Sequence, residues 1–378
     1  MNLPDEQARL IAKRLRDLLG DLANLNHCFG LSSVNRFKEI DTLATQSMLS
    51  FFIANIAKYA GLKVDTDYFP ILAIRAAARK YKAANITGEE AEWLKGKLPG
   101  IDIYDEAIKQ AFEGIHPDII SRVSIPSNTI EEDIFNLAGK LTKRIELKCL
   151  IYPKIMKNEF NRIFRTNEKE IQELIQKLEI PNFIHEYRKC QKVIIDIYFK
   201  LSNEVRWKMQ SRTQDGSVIG HSFSAAVIAY VEALENGYEE NIATHFFNMG
   251  LFHDLSEFRT GDMQSTFKDS IPGLRKATED YERLQMETAM YPRMPKYQAD
   301  ALKKVDYLSA ENSKFHPWIV GADSLSAVCE AYQQFQHGSK DLRFWKAIDR
   351  VEGKYNNGEI VITKIGRCLL IGTSIEMR

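Results

Sequence analysis

The chain has 378 residues, more than the roughly 100–200 of one ordinary domain, so two domains or one large helical body are expected. Hydrophobic residues make up 44% and charged residues 27%, a balance that excludes a disordered or fibrous chain. Lys plus Arg equals Asp plus Glu at 51 each, so no net field draws the protein to a polyanion or an anionic membrane, and neither long nucleic acid nor membrane is an expected partner.

Helical periodicity dominates in chain order. Apolar residues recur at three- and four-residue steps over Ala8 to Leu19, Thr42 to Tyr59, Ile171 to Leu178, Ser222 to Leu234 and Leu325 to Phe335, so the fold class is mostly α. A charged helical connector is expected over 151–199, between an N-terminal helical domain over 1–150 and a second domain over 200–340. The remaining 341–378 form an extension. There Glu359-Ile-Val-Ile-Thr and Cys368-Leu-Leu-Ile-Gly are β-prone runs that suggest a short C-terminal hairpin. Cys28, Cys149, Cys190, Cys329 and Cys368 are scattered without a CxxC pair, the pattern of reduced thiols. The N-terminus lacks the apolar run of a signal peptide and no stretch approaches ~20 apolar residues, so a cytoplasmic protein is expected.

The two halves look like tandem diverged copies of one helical unit. The run from Ala44 to Ala57 overlays the run from Ile219 to Glu232, with Gln46 on His221 and Ser47 on Ser222, and Thr87-Gly88-Glu89 falls on Thr260-Gly261-Asp262. In this overlay Lys80 and Tyr81 replace His253 and Asp254. An ammonium repels a cation and a phenol is a poor ligand near neutral pH, so the first half is expected to bind no metal at that place. The alternative is that helices imitate one another and that the first half is an unrelated bundle acting as a lid.

The chemistry-bearing residues lie between Arg206 and Asp323. His253-Asp254 pairs an imidazole nitrogen with a hard carboxylate oxygen, a donor set suited to Mn, Co, Fe, Zn or Ni more than to Ca. His221 opens an apolar helix and Asp323 precedes another. Ionisable groups embedded in apolar helices need partners, which one shared cation would supply to all four. Singly, each has a plain structural reading, such as Asp323 capping the helix that follows. On a helix Glu257 shares a face with His253 and Asp254, beside a metal without having to ligate it. His245 reads as a core or supporting histidine, and no Walker-type glycine loop is present.

The order His221, His253-Asp254, Asp323 resembles the motif of the HD superfamily of metal-dependent phosphohydrolases. Arg206-Trp207, His221-Ser222, Glu257 and Thr260-Gly261-Asp262 resemble the YfbR-like 5′-deoxynucleotidases within it. The resemblance covers roughly residues 200–335. It implies an HD-domain helical bundle with one divalent metal ion (Mn, Co, Fe, Zn, Ni or Mg) on His221, His253, Asp254 and Asp323. It further implies Glu257 as the acidic catalytic residue, Arg206 and Trp207 as substrate contacts, and Asp262 on the sugar. The expected reaction is hydrolysis of the 5′-phosphate of a deoxynucleotide, a deoxynucleoside monophosphate, by water activated at the metal. Two alternatives stand beside it: a deoxynucleoside triphosphate triphosphohydrolase, and a nucleotide-sensing protein without turnover. Family members pair with a second subunit, so the extra first half is expected to act as an internal pseudo-dimer partner.

Overall fold

The computed structural model describes residues 4–27, 37–83, 86, 88–114, 128–150, 154–207, 210, 213–261, 263 and 265–377. In chain order the helices are α1 (Asp5–Asn24), α2 (Glu39–Tyr59), α3 (Tyr68–Ala83), α4 (Gly88–Lys97), α5 (Ile103–Ala111), α6 (Ile130–Cys149), α7 (Lys157–Leu178) and α8 (Phe183–Asn203). They continue as α9 (Val218–Glu235), α10 (Glu240–Phe252), α11 (Glu257–Thr260), α12 (Ser265–Ser270), α13 (Leu274–Gln285), α14 (Lys296–Lys304), α15 (His316–Gln336), α16 (Leu342–Asn356) and α17 (Lys364–Met377). The expected mostly α fold is what the chain adopts. Among the described residues the strands are β1 (Asn26–His27) and β2 (Phe37–Lys38), paired antiparallel.

Two helices organise the core because they are apolar nearly all round. Most of α2 and α9 is buried, and a helix without a polar face belongs inside a bundle. By length and composition α9 could cross a membrane, but 83% of it is buried within the fold, so it is a core helix. It packs on α2, α8, α10 and α15. The approach of α10 depends on Gly250, where a Cβ would come within 2.8 Å of the Ala226 backbone. One continuous apolar core includes residues of both halves, from Leu22 and Phe52 to Phe246 and Leu325.

The C-terminal hairpin expected from sequence does not form. Residues 359–363 are irregular, and Cys368 to Gly372 lie inside α17. Their β-propensity loses to burial: Ile365, Leu369, Thr373 and Met377, four residues apart, form a buried stripe, and α17 packs on α1, α9 and α15. Two carboxylates of α9 fix its start. Glu232 accepts from Thr363 N at 2.6 Å and Glu235 from Ile365 N at 2.8 Å, satisfying amides that a helix N-terminus leaves open.

The halves repeat an order of elements. In the first, α1 leads through the β1–β2 pairing to α2, and Asn26 faces Lys38. In the second, α8 leads through an isolated antiparallel bridge between Val205 and Ser217 to α9. In both, the paired residues are 12 apart and the next residue starts the helix. A shift of 179 residues brings Asn26 onto Val205, Lys38 onto Ser217 and the α1 terminus Asn24 onto the α8 terminus Asn203. That register sets Thr42, not Gln46, opposite His221, one helical turn from the sequence overlay. Thr42 donates to buried Glu146 of α6 at 2.6 Å, and Lys80 pairs with Glu39 at 3.3 Å. The Thr87 and Asp262 ends of the second overlay lie outside the described residues.

Candidate metal centre and active site

Ser217 caps α9 by accepting from Gly220 N at 3.0 Å, which sets His221 in the first turn of a buried helix. His253 and Asp254 follow α10 directly, and Asp323 lies in the second turn of α15, inside the helix rather than capping it. The three segments converge. His221 Nε2 is 2.7 Å from Asp323 Oδ1, and His253 Nε2 is 3.1 Å from Asp254 Oδ2 and 3.7 Å from Asp323 Oδ1. One donor atom from each of His221, His253 and Asp254 lies within 4.8 Å of the others. All four sequence-expected ligands are therefore brought together.

Hydrogen bonds orient both imidazoles. His253 Nδ1 donates to Gly250 O at 2.7 Å, which turns Nε2 towards the carboxylates. His221 Nδ1 lies 2.9 Å from Ser326 Oγ and 3.4 Å from Glu330 Oε1. Burial pulls His253 down, but Asp254 outweighs it and raises the group well above its ordinary value; His221, pulled down by burial and Arg206, is raised by Glu330 and Asp323. Burial would raise Asp254 and Asp323, yet the histidines hold Asp254 low and Asp323 well below the usual carboxylate range. The cluster thus draws positive charge to itself. Moreover, His253 Nε2 is a buried nitrogen without a hydrogen-bond partner, facing two carboxylates. A mixed N and O donor set with that nitrogen fits a divalent transition metal.

Arg206 and Trp207 follow the Val205–Ser217 bridge. Arg206 Nη1 lies 3.7 Å from Asp254 Oδ2 and its Nε 3.2 Å from Glu330 Oε2. Trp207, at φ 59°, donates its indole N–H to the same Glu330 oxygen at 2.8 Å and packs on Phe344 of α16. Glu257 starts α11 and is buried. Residues 253–256 are not α-helical as expected; they form turns closed by bonds such as Glu257 N to Asp254 O at 3.0 Å. Bonds three residues apart eclipse positions i and i+3, so Asp254 and Glu257 still share a side. Asp262 lies outside the described residues. His245 bonds Asn312 at 2.8 Å, away from the cluster.

Sequence reading missed Ser326, Glu330 and Tyr307. Ser326 and Glu330 stand three and seven residues after Asp323, on one face of α15, and that spacing was the available signal. Burial would raise the Glu330 carboxyl, but Arg206 and His221 hold it down at about 2. Tyr307 stacks on His316 at 5.5 Å and borders, with His253, a cavity of about 520 Å³ between the end of α10, α13 and α14.

A mostly helical body with this His, His-Asp, Asp centre resembles, in its second half, the domain of the HD-type phosphohydrolases. Within that class it resembles the YfbR-like enzymes: residues 195–361 match the family model described as 5′-deoxynucleotidase YfbR-like. A 5′-deoxynucleotidase of Photobacterium profundum is 27% identical over 157 residues, which span 39% of this chain and 76% of that protein. No solved structure matches the chain. The family match begins within α8 and ends before α17, so α1 to α7 and α17 lie outside it.

Proposed function

We propose that this chain is a metal-dependent phosphohydrolase that removes the 5′-phosphate from deoxynucleoside monophosphates. The observation that carries the reading is the convergence of His221, His253, Asp254 and Asp323, with Arg206 on its edge and Glu257 one short turn from Asp254. A divalent cation held by those four side chains supplies Lewis-acid activation of water and neutralises phosphate charge. The guanidinium of Arg206 binds phosphate oxygens, and its hold on Glu330 keeps it at the edge of the site. As water adds to phosphorus it gives a proton to Glu257, the P–O5′ bond breaks, and Glu257 passes that proton to the departing 5′ oxygen, giving nucleoside and phosphate. Trp207, anchored by Glu330, borders the sugar and excludes a ribose 2′-hydroxyl, and Asp262 binds the sugar by resemblance.

Residues 200–340 are the catalytic part in this reading, and 1–150 are a copy without metal ligands that serves as internal partner. The setting is the cytoplasm, in keeping with the free thiols of Cys149, Cys190, Cys329 and Cys368. Incubating the protein with Mn or Co and dAMP or dATP tests the proposal. Free phosphate from dAMP supports it. Triphosphate from dATP alone overturns it in favour of a triphosphohydrolase, and binding without product overturns it in favour of a sensor.

A further inference from the structure

We propose that the cavity beside His253 receives the nucleobase and that Glu282 reads its hydrogen-bonding edge, favouring guanine. The inference rests on the phosphohydrolase reading for the placement of the phosphate. His253 belongs both to the cluster and to the cavity wall, so the cavity adjoins the place assigned to the phosphate and is within reach of the rest of a nucleotide. Its volume of about 520 Å³ lies within the range of small-molecule sites. Phe252, Met286, Tyr291, Leu302 and Tyr307 make the walls largely apolar, which suits a flat aromatic ring.

Glu282 stands apart among the charged groups that line this cavity. It is 9% exposed, whereas Lys303 and Glu287 are exposed at the rim and pair with each other at 3.0 Å. Arg283 reaches Leu308 O at 3.5 Å, and Asp306 accepts from Leu308 N at 2.9 Å. Glu282 accepts from Lys268 on one oxygen at 3.3 Å and from Ser256 on the other at 3.4 Å. Each carboxylate oxygen has two lone pairs, so both retain an acceptor site with the carboxylate held in place.

A fixed carboxylate with two open acceptor sites matches two adjacent N–H donors. Guanine presents such a pair at N1 and its exocyclic amino group. Adenine and cytosine set one amino donor beside a ring acceptor, and thymine flanks its N–H with two carbonyls. Bidentate recognition of one base edge discriminates by about tenfold or more.

The test compares kcat/KM for dGMP, dAMP, dCMP and dTMP in the wild type and in Glu282→Gln, alongside calorimetric binding of deoxyguanosine and thymidine to the metal-free protein. The expected result is a dGMP to dTMP ratio of about ten or more that falls about tenfold in Glu282→Gln, with a parallel narrowing of the two nucleoside affinities. A flat wild-type profile, or an equal loss for all four bases, overturns the proposal. If no monophosphate is hydrolysed, the phosphohydrolase reading fails, and the calorimetric ratio still decides the pocket. Met286→Trp, which fills the cavity from the helical turn after Glu282, guards against misfolding of the first variant. It should raise KM for dGMP more than for p-nitrophenyl phosphate, which has no base; an equal change for the two overturns the placement of the base.

Discussion

Glu330→Gln removes one charge and keeps the shape of the side chain, so it isolates what that carboxylate does. Glu330 accepts from Trp207 at 2.8 Å and from Arg206 at 3.2 Å and faces His221 at 3.4 Å, with its side chain 17% exposed. Moving the carboxyl from 4.5 to about 2 corresponds to about 3 kcal/mol of stability, at about 1.4 kcal/mol per pH unit. That agrees with the 3–5 kcal/mol typical of breaking a buried ion pair, and its low exposure leaves little solvent screening to discount. Because the folded value is depressed, the contribution is fully present above 4.5 and is lost as the pH falls through about 2. Urea unfolding of metal-free protein at several pH values measures it. The variant should be about 2–3 kcal/mol less stable than wild type at pH 7, with the gap closing towards pH 2. With its anchor weakened, Trp207 has less to hold its left-handed backbone, and KM should rise more than kcat falls. A gap that stays constant with pH, or no gap at pH 7, refutes the reasoning.

Metal analysis of the purified protein should find about one transition-metal ion per chain, lost in His253→Ala or Asp254→Ala while circular dichroism still reports the helical fold. Glu257→Ala should keep the ion and lower turnover by ~10²-fold, as expected when a general acid is removed; equal loss of metal and activity would make Glu257 a ligand. Gly250→Ala should lower stability by about 1–3 kcal/mol, read as a fall in melting temperature, because its methyl group meets the Ala226 backbone at 2.8 Å.

What the sequence revealed follows from how strongly each feature depends on local pattern. The long apolar runs in α2 and α9 could only be buried helices, and His221, His253, Asp254 and Asp323 stood out because ionisable groups in such runs need a common partner. Glu330 was hidden because an acid late in a helix usually faces water; only the approach of Arg206 and Trp207 from 123 or more residues away makes it central. The tail misled because Ile360 to Ile362 and Leu369 to Ile371 suit a strand, while the surface offered by α1, α9 and α15 suits a helix. The overlay that sets Gln46 on His221 and the pairing register that sets Thr42 there differ by one turn, a shift to which an apolar helix is indifferent because it matches itself after four residues. The pairings before α2 and α9 have no such periodicity, so they offer a register independent of the apolar pattern.

That register bears on why the first half exists. If it were an unrelated lid, α9 would carry its own solvent-facing side, and the second half would fold without it. Instead α2 lies against α9, Ser217 bonds Asp41 across the junction, and a Cβ at Gly220, next to His221, would come within 2.8 Å of Asp41 and Ile40. Further along, Gln298 of α14 donates to Phe52 O of α2 at 2.9 Å. A homodimer that fused into one chain can keep its two-fold contact while one copy loses its ligands, since linkage raises the effective concentration of the partners. Residues 183–378 produced alone should therefore lose the cooperative melt of the full chain, and added residues 1–150 should restore it. If the fragment melts at the temperature of the full chain, the first half is dispensable to the fold, and the internal partnership falls.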